Sequence, residues 1–391
     1  MKDKKKWIIG ISACVLLMVS VFFVFNQGKS NEQVVTEYFE LLKKKDYKQM
    51  YQMLNPKIVY TPTQKYFVEK YKEFYEEIDA KNIQIKVLNE KDNIIKYQIS
   101  MDTIAGKIKY KNKFDFSCAY ATYSKSASFV ARSASKNSCL WVHSEYMQMF
   151  GNNKEKYIKF FNEVKAKEFK NIVFVSENAK NIFDKTFSND SNLIKKTRII
   201  HNLMDAEEIL QKSKESVQDY NKENIYTFLN VGRHTEEDKK LTRLIKAAKK
   251  LNEDKLNFRI LLVGSGNKTE EYKQMVKEYG LEDKIIFLGK KQNPYPYFKI
   301  ADSLILTSEY EGFPVVYLEA MLLELPIITT DVSDSLKVVK NKYGIVTKKD
   351  INSIYIAMKQ AIEQGVFIKE KFNYKEYNKE IEQKLEKLIN L

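Results

Sequence analysis

From Phe116 onward, short apolar runs recur at Ile172–Val175, Tyr226–Val231, Arg259–Val263, Lys284–Leu288, Ser303–Thr307 and Ile327–Thr330, with stretches of helical periodicity such as Leu241–Leu251 and Tyr272–Tyr279 between them. Strands that are apolar on both faces need helices on both sides, and strand–helix alternation gives a parallel, doubly wound α/β sheet. Eight of the twelve glycines lie from Gly232 onward, mostly where these strands end. Ligands of such sheets bind at the carboxyl ends of the strands, so that is where the chemistry is sought.

The chain has 391 residues, 44% hydrophobic and 30% charged, enough for two or three packed domains and unlike a disordered or fibrous chain. Cys14, Cys118 and Cys139 are too few for a disulfide framework, and with His143, His201 and His234 they lack the paired spacing of a zinc site. The net charge of +15 raises the question of nucleic acid, but 61 of the 66 basic residues are lysines mixed with Glu and Asp along the whole chain. Dedicated phosphate and base readers lean on arginine, so the lysines read as solvated faces and each of the five arginines is informative.

The first 29 residues read as cytoplasmic lysines followed by a membrane anchor. Trp7 to Phe25 is an uncharged run of 19 residues preceded by Lys2, Lys4, Lys5 and Lys6, long enough to span as a helix with its start held in the cytoplasm. Cleavage as a signal peptide and lipidation at the Ile11-Ser12-Ala13-Cys14 tetrapeptide are the rivals. An uncleaved anchor places the bulk of the chain outside the cytoplasm.

The next segment has a different pattern. Apolar residues at helical spacing (Val34, Tyr38, Leu41, Leu42; Tyr47, Met50, Tyr51, Leu54) precede Thr61-Pro62, which opens a second helix, and then alternation sets in at Ile83, Ile85, Val87, at Ile95, Tyr97, Ile99, Met101, and at Ile108 and Tyr110. This predicts helices followed by an antiparallel meander, an α+β unit without catalytic spacing. Its motifs, Glu37-Tyr38-Phe39, Lys43 through Tyr47, Phe67 through Tyr71 and above all Met101 through Ile108, resemble the membrane-proximal domain of methicillin-resistance-type penicillin-binding proteins. The resemblance implies a partial cone of the nuclear-transport-factor-2 (NTF2) kind over residues 30–115, acting as a spacer.

Two strand ends carry the site. Asn230-Val231-Gly232-Arg233 closes one strand, and Lys239 and Lys240 precede the helix that begins at Leu241. Glycine lets the backbone turn closely, and an arginine with a lysine can neutralise a pyrophosphate; a surface arginine after a strand is the plainer reading. Further on, Ser308-Glu309-Tyr310-Glu311-Gly312-Phe313-Pro314 leads to Glu319. Gly312 and Pro314 suit a tight turn into a helix whose free amides face an anion, and Glu311 and Glu319, two turns apart, can border one pocket.

This combination is similar to the donor-binding domain of family 4 glycosyltransferases, retaining enzymes of the GT-B fold. Val263-Gly264-Ser265-Gly266, Phe287-Leu288-Gly289 and Ile200-His201-Asn202 extend the likeness, and Trp141-Val142-His143-Ser144 with Val173 through Glu177 look like the last strands of an acceptor-side domain. The resemblance implies that Arg233 and Lys239 hold a diphosphate beside Gly232, that Glu311 takes the sugar hydroxyls and Glu319 the ribose, and that Gly312, Phe313 and Pro314 border the donor. Gly289 and Asn293 would bound a loop by the base, and His143 would reach the sugar, although it reads equally as a strand-end histidine. The donor is a UDP- or GDP-sugar used as substrate. No cofactor is implied, and the absence of an Asp-x-Asp motif fits a metal-independent site.

Ser133-Ala134-Ser135-Lys136 and Ser135-Lys136-Asn137 mimic transpeptidase motifs, but they overlap and no Lys-Thr-Gly strand exists, so β-lactam chemistry is set aside. The acceptor-side half is short, spanning 116–204, before a donor-binding domain with C-terminal helices over 205–391. Two partial folds meeting at Lys111–Phe116 read as a fusion of gene fragments or an assembly chimera. The expectation is a retaining hexosyltransferase acting on a cell-envelope glycan, impaired by truncation, with no nucleic-acid partner. The alternative is a non-catalytic, membrane-tethered envelope module. An external bulk conflicts with a cytosolic donor.

Overall fold

The computed structural model describes residues 31–53, isolated positions between 64 and 72, and residues 81–91, 94–102 and 112–390. The Trp7–Phe25 run, the helix start at Thr61-Pro62 and the alternation at Ile108 and Tyr110 lie outside the described residues. Among the described residues no helix is long and apolar enough to cross a membrane. The chain divides into two compact units, Met1–Leu140 with Glu168–Lys170, and Trp141–Lys167 with Asn171–Leu391.

In the first unit, helices α1 (Asn31–Lys43) and α2 (Tyr47–Gln52) bury Tyr38, Leu42, Tyr47 and Met50 of the helical spacing together with Phe39, which lies outside it, while Leu41 and Tyr51 are half-buried. Asp46 opens α2 by accepting the Gln49 N–H at 3.0 Å. Strands β1 (Lys81–Lys91) and β2 (Ile94–Asp102) pair antiparallel, with Ile85 opposite Ile99 and Val87 opposite Tyr97. Helices followed by an antiparallel pair are the α+β order expected.

Parallel structure then begins. Strand β3 (Ser117–Ala119) pairs with the start of β4 (Ser138–Val142), and α3 (Lys125–Ala134) connects them. Cys118 and Cys139 are register partners there and remain free thiols. The transpeptidase-like serines serve local structure. The Ser135 hydroxyl donates to the Asp115 carbonyl and accepts the Asn137 N–H, both at 2.9 Å, and Ser133 donates to the Phe129 carbonyl.

The second unit holds the end of β4, helices α4 (Tyr146–Met149) and α5 (Lys154–Glu163), β5 (Asn171–Phe174), α6 (Glu177–Thr186), α7 (Ser191–Ile194) and β6 (Thr197–Ile199). β5 is buried along its whole length and pairs parallel with β6. Phe161, Phe174 and Phe183 fill the space beneath, with ring centroids about 5 Å apart.

After α8 (Ala206–Lys212) comes a six-stranded, all-parallel sheet made of β7 (Tyr226–Val231), β8 (Phe258–Val263), β9 (Ile285–Gly289), β10 (Ser303–Leu306), β11 (Ile327–Thr330) and β12 (Gly344–Thr347). Its spatial order is β12-β11-β10-β7-β8-β9. Five of these strands coincide with the apolar runs of the sequence; β12 does not, because it opens on glycine, a poor strand former, and has only Ile345 and Val346 as apolar residues. Helices α9 (Leu241–Glu253), α10 (Thr269–Glu278), α11 (Tyr295–Ile300), α12 (Val315–Leu322), α13 (Ser335–Val338) and α14 (Ile351–Gln364) cover the sheet. Leu244, Ile245 and Leu251 of α9 meet Ile354 and Met358 of α14 in one buried core with Phe228, Ile260 and Ile328. The last helix, α15 (Tyr374–Asn390), runs back toward the linker, where Tyr377 donates to the Asn202 carbonyl and Asn378 to that of Met204, both at 2.8 Å. The strand order reverses between β7 and β10, and the crevice at that reversal is where an open α/β sheet receives a ligand.

Candidate active site

The loop after β7 carries the two cations. The Arg233 guanidinium donates to Asp238 Oδ2 at 2.8 Å, yet 73% of its side chain stays exposed, so it can turn to another anion. Asp238 also accepts from the Thr235 hydroxyl, and the neighbouring Glu236 accepts from Tyr272 Oη at 2.9 Å and from the Thr242 hydroxyl. The loop is thus held from within and enters α9 through Lys240, a non-glycine residue at φ 51° in the left-handed region.

The loop after β10 answers it across the strand-order reversal. Lys239 Nζ donates to Glu311, and the Ser308 hydroxyl reaches the same Oε1 atom at 2.8 Å. Only 20% of the Lys239 side chain and 13% of that of Glu311 are exposed, so the pair is largely shielded from water. The Thr307 hydroxyl donates to the Lys239 carbonyl at 3.1 Å, and the Glu309 N–H donates to the Asp238 carbonyl at 2.7 Å. These bonds hold the two strand ends side by side, and two of the sequence-derived residues, Lys239 and Glu311, meet directly.

The glycines do different work from that expected of the sequence. Gly312, expected in a tight turn, also meets a second demand: a Cβ there would lie 1.7 Å from the His143 carbonyl oxygen, so its lack of a side chain lets the loop after β10 lie against the backbone that follows β4. His143 thus reaches the loop after β10 through its main chain, while its ring stacks on Trp141 at 6.3 Å. Gly232 meets no such limit, since a Cβ would make ordinary contact with Lys239 at 3.7 Å. The close approach falls instead at Gly264, at φ 146°, where a Cβ would sit 1.8 Å from the Gly232 carbonyl, and at Gly266, where it would sit 2.3 Å from the His234 carbonyl. Gly289 ends β9 at φ 70°, and its carbonyl accepts the Gly264 N–H at 2.9 Å.

Phe313 packs on His201 at 5.0 Å and its carbonyl accepts from Asn202 at 3.3 Å, and Pro314 precedes the first turn of α12. Glu319, one turn further along α12, is half-buried with no cation to offset its desolvation, which pushes its carboxyl up to about 7. Tyr295, Glu208 and Asp205 lie in the same neighbourhood. Asn293 donates to the Lys212 carbonyl at 2.9 Å and caps the Tyr295 N–H, which fixes the loop after Gly289. Among the described residues no group of His, Cys, Asp or Glu is arranged to hold a metal ion.

Three features escape the sequence. Asp334 accepts the Glu177 and Asn178 N–H groups, each at 2.8 Å, and so closes the amino end of α6 from the facing half, while Ser176 caps the next amide. Lys349 reaches both Gln148 and the Glu309 carbonyl. His234 is buried between Tyr272 and Phe287, hydrogen-bonded through Nδ1 to Thr269 at 3.0 Å, and burial holds its pKa below the usual range. Asp334, Lys349 and His234 are silent in the sequence because their partners lie 35 to 201 positions away.

Two parallel α/β halves, with a strand-order reversal facing the junction between them, define a GT-B-like fold. Residues 211–387 match the family described as "Glycosyl transferases group 1", and residues 30–126 match the "NTF2-like N-terminal transpeptidase domain", a match that runs past the expected limit at residue 115. An uncharacterized glycosyltransferase of Methanocaldococcus jannaschii is 27% identical over 195 residues, 45% of this chain and 47% of that protein. N-acetylgalactosamine-N,N'-diacetylbacillosaminyl-diphospho-undecaprenol 4-alpha-N-acetylgalactosaminyltransferase of Campylobacter jejuni is 28% identical over 189 residues, 48% of this chain and 50% of that protein. The chain therefore spans about half the length of these curated relatives. Among solved structures, Anabaena HepE in complex with UDP superposes with a TM-score of 0.56 at 17% identity, over 68% of this chain and 77% of that one, a likeness of fold.

Proposed function

We propose that residues 116–391 form a nucleotide-sugar-dependent glycosyltransferase of the family 4 type that transfers a hexosyl group with retention to a cell-envelope glycan. The observation that carries this reading is the pairing of Lys239 with Glu311 across the strand-order reversal between β7 and β10, beside the exposed guanidinium of Arg233. In this reading Arg233 and Lys239 take the diphosphate, Glu311 accepts from sugar hydroxyls, and Glu319 accepts from the ribose. Gly289 and Asn293 bound the base, and the Gly312-Phe313-Pro314 turn presents the first amides of α12 to the phosphates. The N-acetylgalactosaminyltransferase activity of the Campylobacter jejuni relative and the UDP bound in HepE support a nucleotide-sugar donor.

The chemistry needs no covalent nucleophile. The bond between the anomeric carbon and the diphosphate oxygen breaks, and its electron pair leaves with the diphosphate, whose developing charge Arg233 and Lys239 neutralise. The acceptor hydroxyl oxygen forms the new bond from the same face and passes its proton to the departing phosphate oxygen. Because the acceptor-side half is short, turnover is expected to be weaker than donor binding, since loss of alignment by an ångström already costs about 100-fold.

Calorimetry with uridine and guanosine diphosphates tests the donor site. Binding that Arg233→Ala weakens by about 1.5–3 kcal/mol, the range for a hydrogen bond to a charged group, supports it, and absence of binding by either nucleotide rejects it. The match of residues 30–126 to an N-terminal transpeptidase domain favours a second reading, a tethered envelope module without turnover. A single-pass anchor with a cytoplasmic N-terminus is part of that reading, and protease accessibility of the C-terminus in intact cells separates the two.

A further inference from the structure

The loop carrying Glu311 is pinned at nearly every residue. The Ser308 carbonyl accepts from Thr330 at 2.7 Å, the Glu309 carboxylate pairs with Arg243, and the Gly312 carbonyl accepts from the Ser333 hydroxyl. These anchors all belong to the donor-binding domain, on β11, the turn after it and helix α9. Lys349 differs from them. It stands in the connection between β12 and α14, and its ammonium donates to the Glu309 main-chain carbonyl with the Glu309 carboxylate 3.9 Å away. The same ammonium donates to Gln148 Oε1 at 2.9 Å, on helix α4 of the acceptor-side half. Gln148 is itself fixed, because its N–H donates to Glu145 Oε2 at 3.0 Å and Glu145 is buried. One half-buried cation thus joins the donor loop, two residues before Glu311, to a helix five residues after His143.

We infer that Lys349 is a positioning residue that sets the donor loop against helix α4, so that the sugar-binding carboxylate of Glu311 and the acceptor-side backbone at His143 are held in one arrangement. This deepens the transferase reading and rests on it for the catalytic consequence, while the mechanical link stands by itself. The ammonium suits this task because it is a compact charge with three donors, enough for a carbonyl, an amide oxygen and a nearby carboxylate at once. The close approach of Gly312 to the His143 carbonyl makes such a link consequential, because a small shift of the loop either opens that contact or drives the two backbones together.

The test uses the full chain with two readouts. Hydrogen exchange measured without ligand follows segments 308–313 and 144–149 in Lys349→Met, Lys349→Arg, Gln148→Leu and Arg243→Met. Lys349→Met is expected to speed exchange at least about 10-fold in both segments and Lys349→Arg to restore part of it, with Gln148→Leu acting on 144–149 and Arg243→Met on 308–313. Unchanged exchange at 144–149 in both Lys349→Met and Gln148→Leu overturns the inference, whether or not any nucleotide binds. Calorimetry with uridine diphosphate and turnover of a UDP-sugar form the second readout. Lys349→Met should change the dissociation constant by less than about 3-fold and lower kcat by 10- to 100-fold, roughly what misalignment of about an ångström costs. Loss of affinity equal to the loss in kcat would make Lys349 a plain donor ligand and reject the positioning role. A wild-type chain that binds no nucleotide rejects the transferase reading and leaves the exchange result to decide the link.

Discussion

Replacing Glu319 by glutamine isolates the cost of burying a carboxylate without a partner. Its carboxyl is raised from 4.5 to about 7 by desolvation, so the folded chain holds a proton that the unfolded chain has already released between those two values. Where the native state binds more protons, stability falls as pH rises, by about 1.4 kcal/mol for each pH unit separating the folded and unfolded pKa. The wild type should therefore lose stability relative to Glu319→Gln by under about 1 kcal/mol at pH 5 and by about 3 kcal/mol at pH 8. Urea titration read by hydrogen exchange of the peptide spanning residues 315–325, at four pH values from 5 to 8, gives the difference locally, which suits a chain of several domains. A difference that stays flat across this range refutes the burial argument. If the ribose hydroxyls donate to Glu319, nucleotide binding near pH 6.5 should release a proton, visible as a dependence of the calorimetric heat on buffer ionisation.

Three further outcomes follow from the same geometry. Gly264→Ala should destabilise the domain of the six-stranded sheet by at least about 2 kcal/mol, because its φ of 146° and the carbonyl 1.8 Å from a Cβ forbid a side chain, whereas Gly232→Ala should cost under about 0.5 kcal/mol; thermal unfolding compares the two. Lys240→Gly should raise stability by about 0.5–1 kcal/mol by relieving a left-handed residue ahead of α9, checked by the same melts. Asp334→Ala should remove about 0.5–2 kcal/mol of helix-end stabilisation and speed exchange at the start of α6, with protection at α12 unchanged.

What was legible in the sequence was local. Runs such as Tyr226–Val231 and Ser303–Thr307 mark buried parallel strands by composition alone, and Arg233, Lys239 and Glu311 stand out because charged residues in the loops after such strands lie at the crevice. The strand order, and with it the meeting of Lys239 with Glu311, emerges only when the sheet is assembled. Gly312 and Gly264 show the limit well. A glycine in sequence signals either a turn or a close approach, and here it is the His143 and Gly232 carbonyls, remote in sequence, that decide in favour of approach. Asp334 and Lys349 look like ordinary surface charges until the facing half supplies the α6 amides and Gln148.

A crystal of the protein soaked with uridine diphosphate shows whether a nucleoside diphosphate binds at the reversal between β7 and β10. The expected result is diphosphate density between Arg233 and the first turn of α12, with Lys239 turned from Glu311 onto the phosphates and Glu319 facing the ribose. Density at another edge of the sheet, or a Lys239–Glu311 pair left intact beside a bound nucleotide, would contradict it.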